Sequence, residues 1–147
     1  MTGNSTEPVV VERTFHAPVA LVWKVLTNKE DMKQWYFELP EFKAEAGFKF
    51  EFTVEHEGKK YRHLCEVTEV IPQKRLAHTW RYDGHPGDSL VSFELAAEGN
   101  KTRLTLTHRG LETFPPLPDF ARNNFVDGWT DIIGNALKQF VEGKPSA

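Results

Sequence analysis

The sequence predicts an α+β fold in which a curved antiparallel sheet of six to seven strands packs around one long C-terminal helix. Three observations lead to this prediction. Apolar and polar residues alternate through most of the chain from Phe48 to His108, two short helical segments lie near the N-terminus, and an apolar stripe at helical spacing runs from Phe125 to Val141. The chain has 147 residues, which is enough for one domain with a sizeable core.

The N-terminal part predicts a strand and two short helices. Val9 to Phe15 is rich in β-branched residues with polar interruptions, which is typical of a strand. Pro18 follows in the first turn of a helix, where its missing N–H leaves no hydrogen bond unmade. That helix carries apolar residues at helical spacing, and a second short helix is expected from about Glu30 to Trp35.

The middle of the chain predicts a series of antiparallel strands separated by turns at Gly58, Pro72-Gln73, Gly84 to Gly87 and Gly99-Asn100. Strict alternation of apolar and polar residues indicates that one face of the sheet is covered and the other is wet. The positions predicted to face inward are Phe48, Phe50, Phe52, Val54, Tyr61, His63, Cys65, Val67, Leu76, His78, Trp80, Val91, Phe93, Leu95, Leu104, Leu106 and His108.

The C-terminal part predicts one long helix from about Asp119 to Glu142, after a connector stiffened by Pro115, Pro116 and Pro118. Its broad apolar stripe must lie against the covered face of the sheet. A curved sheet need not fill all the space beneath such a helix, and a ligand would bind in that gap. Gly128 and Gly134 in this helix predict a close backbone approach or a bend.

Charge and composition exclude several classes of function. The net charge is -3 and the pI is about 6.1, so there is no basic stripe of the kind that nucleic-acid binding requires. No apolar run approaches the length of a membrane span, and residues 1–7 lack the apolar stretch of a signal peptide. With Cys65 as the lone cysteine, we expect a cytoplasmic protein whose domain spans residues 8–142, with flexible tails at 1–7 and 143–147.

Several short motifs together resemble the START-like superfamily, also called SRPBCC, which has the helix-grip fold. Two of them lie in the N-terminal part, two in a central hairpin and one in the last helix: Phe15-His16-Ala17-Pro18 with Val22 to Thr27, Trp35-Tyr36-Phe37, Val67 to Pro72, Arg75-Leu76 with Thr79-Trp80, and Asp127-Gly128-Trp129. The central hairpin resembles the subgroup of homologues of the activator of the ninety-kilodalton heat-shock protein ATPase. Asp127 departs from that subgroup's Gly-Gly-Trp.

The resemblance covers about residues 8–142 and implies the helix-grip fold more strongly than any one function. The superfamily includes lipid and hormone carriers, polyketide cyclases, ring-hydroxylase subunits and a co-chaperone domain. Because one fold hosts many functions, the residues of the site have to decide between them.

Three histidines, His63, His78 and His108, share the inward face with the aromatic positions. One interpretation is a metal site or a general base. The plainer one is that the histidines are partly buried and form hydrogen bonds with hydroxyl groups or water. The Pro72-Gln73 turn predicts His63 opposite Tyr82 and His78 opposite Val67, about 13 Å apart at strand rise. We expect His108 to lie level with His63 three strands away, so the three cannot share a metal.

Aromatic residues are the strongest candidates for a pocket wall shared by sheet and helix, although each also suits a plain core. Arg13 shares the inward face of the first strand and is a candidate partner for a ligand carboxylate. Cys65 is expected to be a small core residue. The predicted ligand-binding set is Trp35, Phe37, Phe50, Phe52, His63, Cys65, His78, Trp80, Phe93, His108, Phe125, Trp129 and Ile133.

Three functions remain open at this stage. The first is binding of a small hydrophobic or aromatic molecule between the sheet and the last helix. The second is modulation of a chaperone's ATPase, and the third is a cyclase-like or hydrolase-like enzyme that uses an inward histidine or Tyr61. The sequence has no phosphate-binding loop and no metal-binding motif, so we expect no cofactor. We expect a monomer, or a weak dimer through an apolar patch formed by Tyr36, Phe114 and Leu117.

Overall fold

The structure, a computed structural model, describes residues 8–35, 42–56, 58–114 and 122–143. Within these ranges the sheet has six strands in the order β1-β6-β5-β4-β3-β2, all antiparallel to their neighbours. The strands are β1 (Val9–Phe15), β2 (Lys49–His56), β3 (Lys59–Ile71), β4 (Arg75–Tyr82), β5 (Ser89–Glu98) and β6 (Lys101–Arg109). The predicted α+β fold with a C-terminal helix is confirmed. The predicted tails at 1–7 and 143–147, apart from Gly143, lie outside the described residues, as do Tyr36, Phe37 and the proline connector.

Two short helices follow β1, as predicted: α1 (Val19–Thr27) and α2 (Lys29–Trp35). Pro18 is the N-cap of α1 and has extended backbone angles, with φ -70° and ψ 154°. The indole Nε1 of Trp35 donates a 2.8 Å hydrogen bond to the Val25 carbonyl, which fastens the end of α2 to α1. This bond positions the Trp35 ring over β5, where it meets Phe93 edge to face at 6.4 Å.

The last helix is continuous from Arg122 but changes its winding: α3 (Arg122–Asp131) leads into a π-helix (Ile132–Leu137) and then α4 (Lys138–Glu142). Five of its residues are buried at four-residue intervals, namely Phe125, Trp129, Ile133, Leu137 and Val141. In an α-helix each such interval drifts by about 40° around the axis, since 3.6 residues make one turn. The wider turns of the π-helix counter this drift and keep the buried stripe facing the sheet.

The register of the sheet confirms one histidine prediction and corrects the other. His63 pairs with Tyr82 and His78 pairs with Val67, as the Pro72-Gln73 turn predicts. His108, however, pairs with Val91, which pairs with His78. His108 therefore lies level with His78, two strands away, and the prediction that it lies level with His63 is wrong. The six-residue connection from β4 to β5 (residues 83–88) does not fix register as tightly as a short turn does.

Arg13 does not point into the core, which corrects a second expectation. It shares the parity of Val9, Val11 and Phe15, yet its side chain is exposed and its Nη1 donates to the Glu12 carbonyl at 2.7 Å. A Cβ placed on Gly134 would lie 3.1 Å from Nε of Arg13. Because Gly134 has no side chain, the guanidinium of this edge strand passes over the last helix to the surface.

Two smaller expectations are also corrected. A Cβ on Gly128 would meet nothing within 4 Å, so Gly128 does not provide the close approach that Gly134 provides. Phe114 is buried at 4% exposure, because it packs against Tyr82 and Phe125, and it cannot contribute to an exposed dimer patch. Tyr36 and Leu117 of that patch lie in the undescribed ranges.

Candidate functional site

The inner face of the sheet and the last helix share one connected cluster of aromatic and imidazole rings. Trp80 on β4 lies at its centre, with ring-centroid distances of 4.9 Å to His63, 5.4 Å to His108 and 5.5 Å to Trp129. Period-two alternation places these strand residues on one face, and the helical stripe brings Trp129 to meet them. The described members of the predicted site are all buried, at 7% exposure or less: Trp35, Phe50, Phe52, His63, Cys65, His78, Trp80, Phe93, His108, Phe125, Trp129 and Ile133.

His108 joins the last helix to the sheet through a relay of hydrogen bonds. Nε1 of Trp129 donates to Nδ1 of His108 at 3.0 Å, so Nδ1 carries no proton. Nε2 therefore carries the proton and donates to Oγ of Ser89 at 2.8 Å, and that hydroxyl donates to the Trp80 carbonyl at 2.7 Å. Burial, with His78 adding to it, lowers the pKa of His108 to about 3. His108 is thus a neutral, fully bonded structural imidazole.

His63 is held at the end of the cluster nearest the β2–β3 turn. Its ring stacks on Phe52 with centroids 4.5 Å apart and an interplanar angle of 12°. Its Nδ1 lies 3.0 Å from the Tyr61 carbonyl, which accepts a hydrogen bond from the ring. Burial lowers the pKa of His63 to about 4, although the backbone hydrogen bonds to Tyr61 and Phe52 act in the opposite direction. At neutral pH this ring is uncharged.

His78 differs from His108, whose two ring nitrogens both bond protein groups. Its Nδ1 donates to the Thr79 carbonyl at 2.8 Å, which leaves Nε2 as a hydrogen-bond acceptor. Nowhere in the described ranges does the structure give Nε2 a hydrogen-bond partner. The ring is surrounded by Phe50 at 5.1 Å, Phe93 at 6.2 Å and Trp80 at 6.4 Å. Burial lowers the pKa of His78 to about 4, so Nε2 is a neutral acceptor among aromatic rings.

The remaining polar candidates are either inert or committed to packing. Burial raises the pKa of the Cys65 thiol, which fits the predicted core residue rather than a nucleophile. Burial also raises the pKa of Tyr82, whose hydroxyl accepts a 2.9 Å hydrogen bond from Nε1 of Trp80. Tyr61 is half-buried and meets Tyr82 at 6.0 Å. Across the described residues, no group of three or more metal-binding side chains could hold an ion.

The ladder between β3 and β4 opens in the middle of the sheet. Leu64 pairs with Arg81 and Val67 pairs with His78, but the ladder has no pairing for Cys65 and Glu66 between them. The Glu66 N–H donates to Oγ1 of Thr79 at 2.9 Å. A pocket of about 590 Å³ lies at this opening and is lined by Lys49, Phe50, Glu51, Leu64, Cys65, Glu66, Thr79 and Arg81.

Sequence reasoning found most of the cluster but missed four of its members. Phe37 of the predicted set lies outside the described residues, and the others are buried together. The residues that it missed are Phe42, Tyr82, Ser89 and Phe114, all of them buried. Tyr82 continues the inward parity of His78 and Trp80, so alternation was a usable signal for it. Ser89 follows a polar loop and gives no such signal, since a serine at a strand end is usually exposed.

The sequence matches the family model described as "Activator of Hsp90 ATPase homolog 1-like protein" over residues 16–142. No curated protein matches the sequence. The described helices include none that is long and apolar enough to cross a membrane.

Solved structures with the same fold come from several bacteria. Protein MLL2253 from Mesorhizobium loti is 26% identical, with a TM-score of 0.76, and the match covers 95% of this chain and 99% of that one. The solution structure of BH1534 from Bacillus halodurans is 27% identical, with a TM-score of 0.71 and coverage of 97% and 100%. CalU16 from Micromonospora echinospora is 24% identical, with a TM-score of 0.70 and coverage of 99% and 84%, a likeness of fold alone.

Proposed function

Because the chain belongs to the family of Activator of Hsp90 ATPase homolog 1-like proteins, whose helix-grip fold it shares, we propose that it binds a small hydrophobic or aromatic molecule. The proposed site lies between the inner face of the sheet and the last helix. The family and the fold leave the ligand open, so the proposal depends on the residues of the ring cluster.

The observation that carries the proposal is the neutral Nε2 acceptor of His78. His108 uses both ring nitrogens in hydrogen bonds to protein groups. His78 bonds the protein through Nδ1 alone among the described residues. A ligand that donates an O–H or N–H to Nε2 would give this second nitrogen a partner.

The surroundings of His78 narrow the class of ligand. Phe50, Phe93 and Trp80 present ring faces and edges, which favour a flat apolar body through offset and edge-to-face contacts. Together with the acceptor, they favour an aromatic molecule that carries one hydroxyl group, such as a phenol or naphthol. Ile133 on the last helix is fully buried in the same hydrophobic core and is a candidate wall of the site.

The pKa values support binding rather than proton transfer. A general base works best with a pKa near the working pH. Burial lowers the pKa of His63 and His78 to about 4 and that of His108 to about 3, so each is a weak base at neutral pH. This argues against the enzyme interpretation, in which an inward histidine acts as the base.

The test is a thermal-shift screen of the purified protein against fatty acids, sterols, flavonoids and aromatic alcohols. A ligand that binds only the native state at a hundredfold excess over its Kd stabilises it by about 2.7 kcal/mol. We expect 2-naphthol to raise the Tm more than naphthalene does, because only the hydroxyl compound can donate to His78.

Two variants locate the effect. His78→Leu should remove the advantage of 2-naphthol over naphthalene, and His63→Leu, a matched change of another buried imidazole, should keep it. Ile133→Trp should abolish both shifts by filling the site. A screen without any shift in Tm would overturn the proposal. It would favour the other function considered above, modulation of a chaperone's ATPase, which the family description names.

A further inference from the structure

The pocket at the opening between β3 and β4, which we call the outer pocket, is distinct from the proposed interior site. Its lining side chains are mostly those that alternation directs to the outer face of the sheet, including Leu64, Thr79 and Arg81. Exposure agrees with this, because Lys49, Glu51 and Arg81 are exposed. The interior cluster, by contrast, consists of the buried residues on the other face.

Side-chain hydrogen bonds of His78 and Thr79 lie next to the opening. The Asp83 N–H donates to the Arg62 carbonyl at 2.9 Å, and bonded pairs in an antiparallel ladder recur every second residue. Glu66 and Thr79 should therefore bond to each other through their backbones. The Thr79 carbonyl also accepts from Nδ1 of His78, and the Glu66 N–H also donates to the Thr79 hydroxyl. These side-chain bonds compete with the backbone pairing of the two strands at the outer pocket.

The charges around the outer pocket leave one cation without a counter-charge. Nη2 of Arg62 donates to both carboxylate oxygens of Glu51, at 2.8 and 2.7 Å, and Nε of Arg62 donates to one of them at 3.2 Å. Lys49 and Glu66 lie opposite each other across the β2–β3 ladder and carry opposite charges. Arg81 is exposed, and among the described residues it makes no ion pair. Leu64, half-buried, is its neighbour on β3 and supplies an apolar surface.

We propose that the outer pocket binds a compact amphipathic carboxylate, with its carboxylate on the guanidinium of Arg81 and its apolar body on Leu64. The planar fork of arginine suits a carboxylate, which it can bind through two parallel hydrogen bonds. The volume of about 590 Å³ is sufficient for a bicyclic aromatic acid. This ligand class differs from that of the interior site, where the acceptor His78 calls for a neutral donor.

The experiment is a titration of the ¹⁵N-labelled protein with 1-naphthoate, followed by amide NMR and calorimetry. We expect saturable shifts of the backbone amides at 64–66 and 79–81. Arg81→Ala should weaken binding by about tenfold, the size of one lost charged hydrogen bond. Arg109→Ala, a matched change at an exposed strand position outside the pocket, should leave the Kd unchanged. The neutral analogue 1-naphthalenemethanol should bind the unsubstituted protein no more tightly than 1-naphthoate binds Arg81→Ala.

Three results would overturn the proposal. The first is that 1-naphthoate does not bind saturably at millimolar concentration. The second is that Arg81→Ala binds it with an unchanged Kd. The third is that the amide shifts are centred on residues 129–137 instead of the outer pocket. Arg81→Gln repeats the test with a side chain of closer length. The interior site is tested separately with 2-naphthol, so a negative result for one proposed site does not decide the other.

Discussion

Nε1 of Trp129 donates a 3.0 Å hydrogen bond to Nδ1 of His108, and this bond connects the last helix to β6 inside the core. Both residues are buried, at 2% and 0% exposure. In such surroundings an unmade hydrogen bond cannot be replaced by bulk water. The bond also selects the imidazole tautomer that donates to Ser89, so one indole N–H orders two successive hydrogen bonds.

Trp129→Phe should therefore destabilise the protein by roughly 1–3 kcal/mol, through the unsatisfied Nδ1 of His108 and the lost ring volume. Urea denaturation measures the change. Trp23→Phe is the matched control, because Trp23 is half-buried and its indole N–H makes no hydrogen bond among the described residues. If the two variants lost equal stability, the Trp129–His108 bond would have no special role.

Ser89→Ala should cost roughly 1–3 kcal/mol as well, since it removes the acceptor for Nε2 of His108 and the donor to the Trp80 carbonyl. Ser92→Ala provides the comparison on the same strand. Both serines are 4% exposed, but Ser92 makes no side-chain hydrogen bond within the described part of the chain. A similar midpoint for the two alanine variants in urea would contradict the relay.

The buried histidines and the Ser89 hydrogen bonds mark where sequence reasoning succeeds and where it stops. Alternation with period two placed His63, His78 and His108 on the inner face, because the burial of one sheet face constrains every second side chain. It could not reveal the Ser89 relay, which depends on how the last helix is seated. It also placed His108 at the wrong level, since the six-residue connection between β4 and β5 sets a register that the sequence does not show.

The opening in the β3–β4 ladder was equally out of reach. The side chains of His78 and Thr79 compete with the backbone pairing there, and such competition depends on rotamers rather than on residue spacing. Arg13 illustrates the same limit. Its parity on the edge strand predicted an inward side chain, whereas the glycine at position 134 of the facing helix lets the guanidinium reach the surface.

The three buried histidines predict acid destabilisation that begins well above the range of the carboxylates. Their pKa values are lowered from 6.5 to about 4 for His63 and His78, and to about 3 for His108. Below pH 6.5 the unfolded chain therefore binds protons that the folded protein does not. The free energy of unfolding should fall with falling pH by up to about 1.4 kcal/mol per pH unit for each histidine, roughly 4 for all three.

Urea midpoints measured between pH 7 and pH 5 test this slope. His63→Leu should reduce the slope by about a third, because one of the three linked protons is removed. A free energy of unfolding that stayed constant from pH 7 to pH 5 would contradict the lowered pKa values.

Thr79→Val should remove one hydrogen bond of a single amide, that of Glu66, at the opening in the ladder. The Glu66 N–H bonds to Oγ1 of Thr79, and valine keeps the shape of the side chain while removing that acceptor. Hydrogen exchange of the Glu66 amide, followed by NMR, should become at least about tenfold faster, which corresponds to the loss of one hydrogen bond. Thr79→Ser keeps the hydroxyl group and should retain slow exchange. Equal exchange in both variants would show that the hydroxyl is not the acceptor.

The two glycines of the last helix should respond in opposite ways to alanine. Gly128 lies in α3, is exposed, and offers open space to a Cβ, so Gly128→Ala should stabilise the protein by roughly 0.5–1 kcal/mol through helix propensity. Gly134 lies in the π-helix, and its Cβ would sit 3.1 Å from Nε of Arg13. Gly134→Ala should therefore gain less or lose stability, because the guanidinium has to move.

Arg13→Ala in the Gly134→Ala background separates the steric term from the propensity term. If the guanidinium is the obstacle, the double variant should recover the stability that Gly134→Ala lacks relative to Gly128→Ala, and the coupling free energy should be about 0.5 kcal/mol or more. The same Arg13→Ala change combined with Gly128→Ala should be additive, since those two residues share no contact at the glycine. Additivity in both pairs would instead assign the low gain at Gly134 to the π-helix itself, whose wider turns keep Ile133 and Leu137 directed at the sheet.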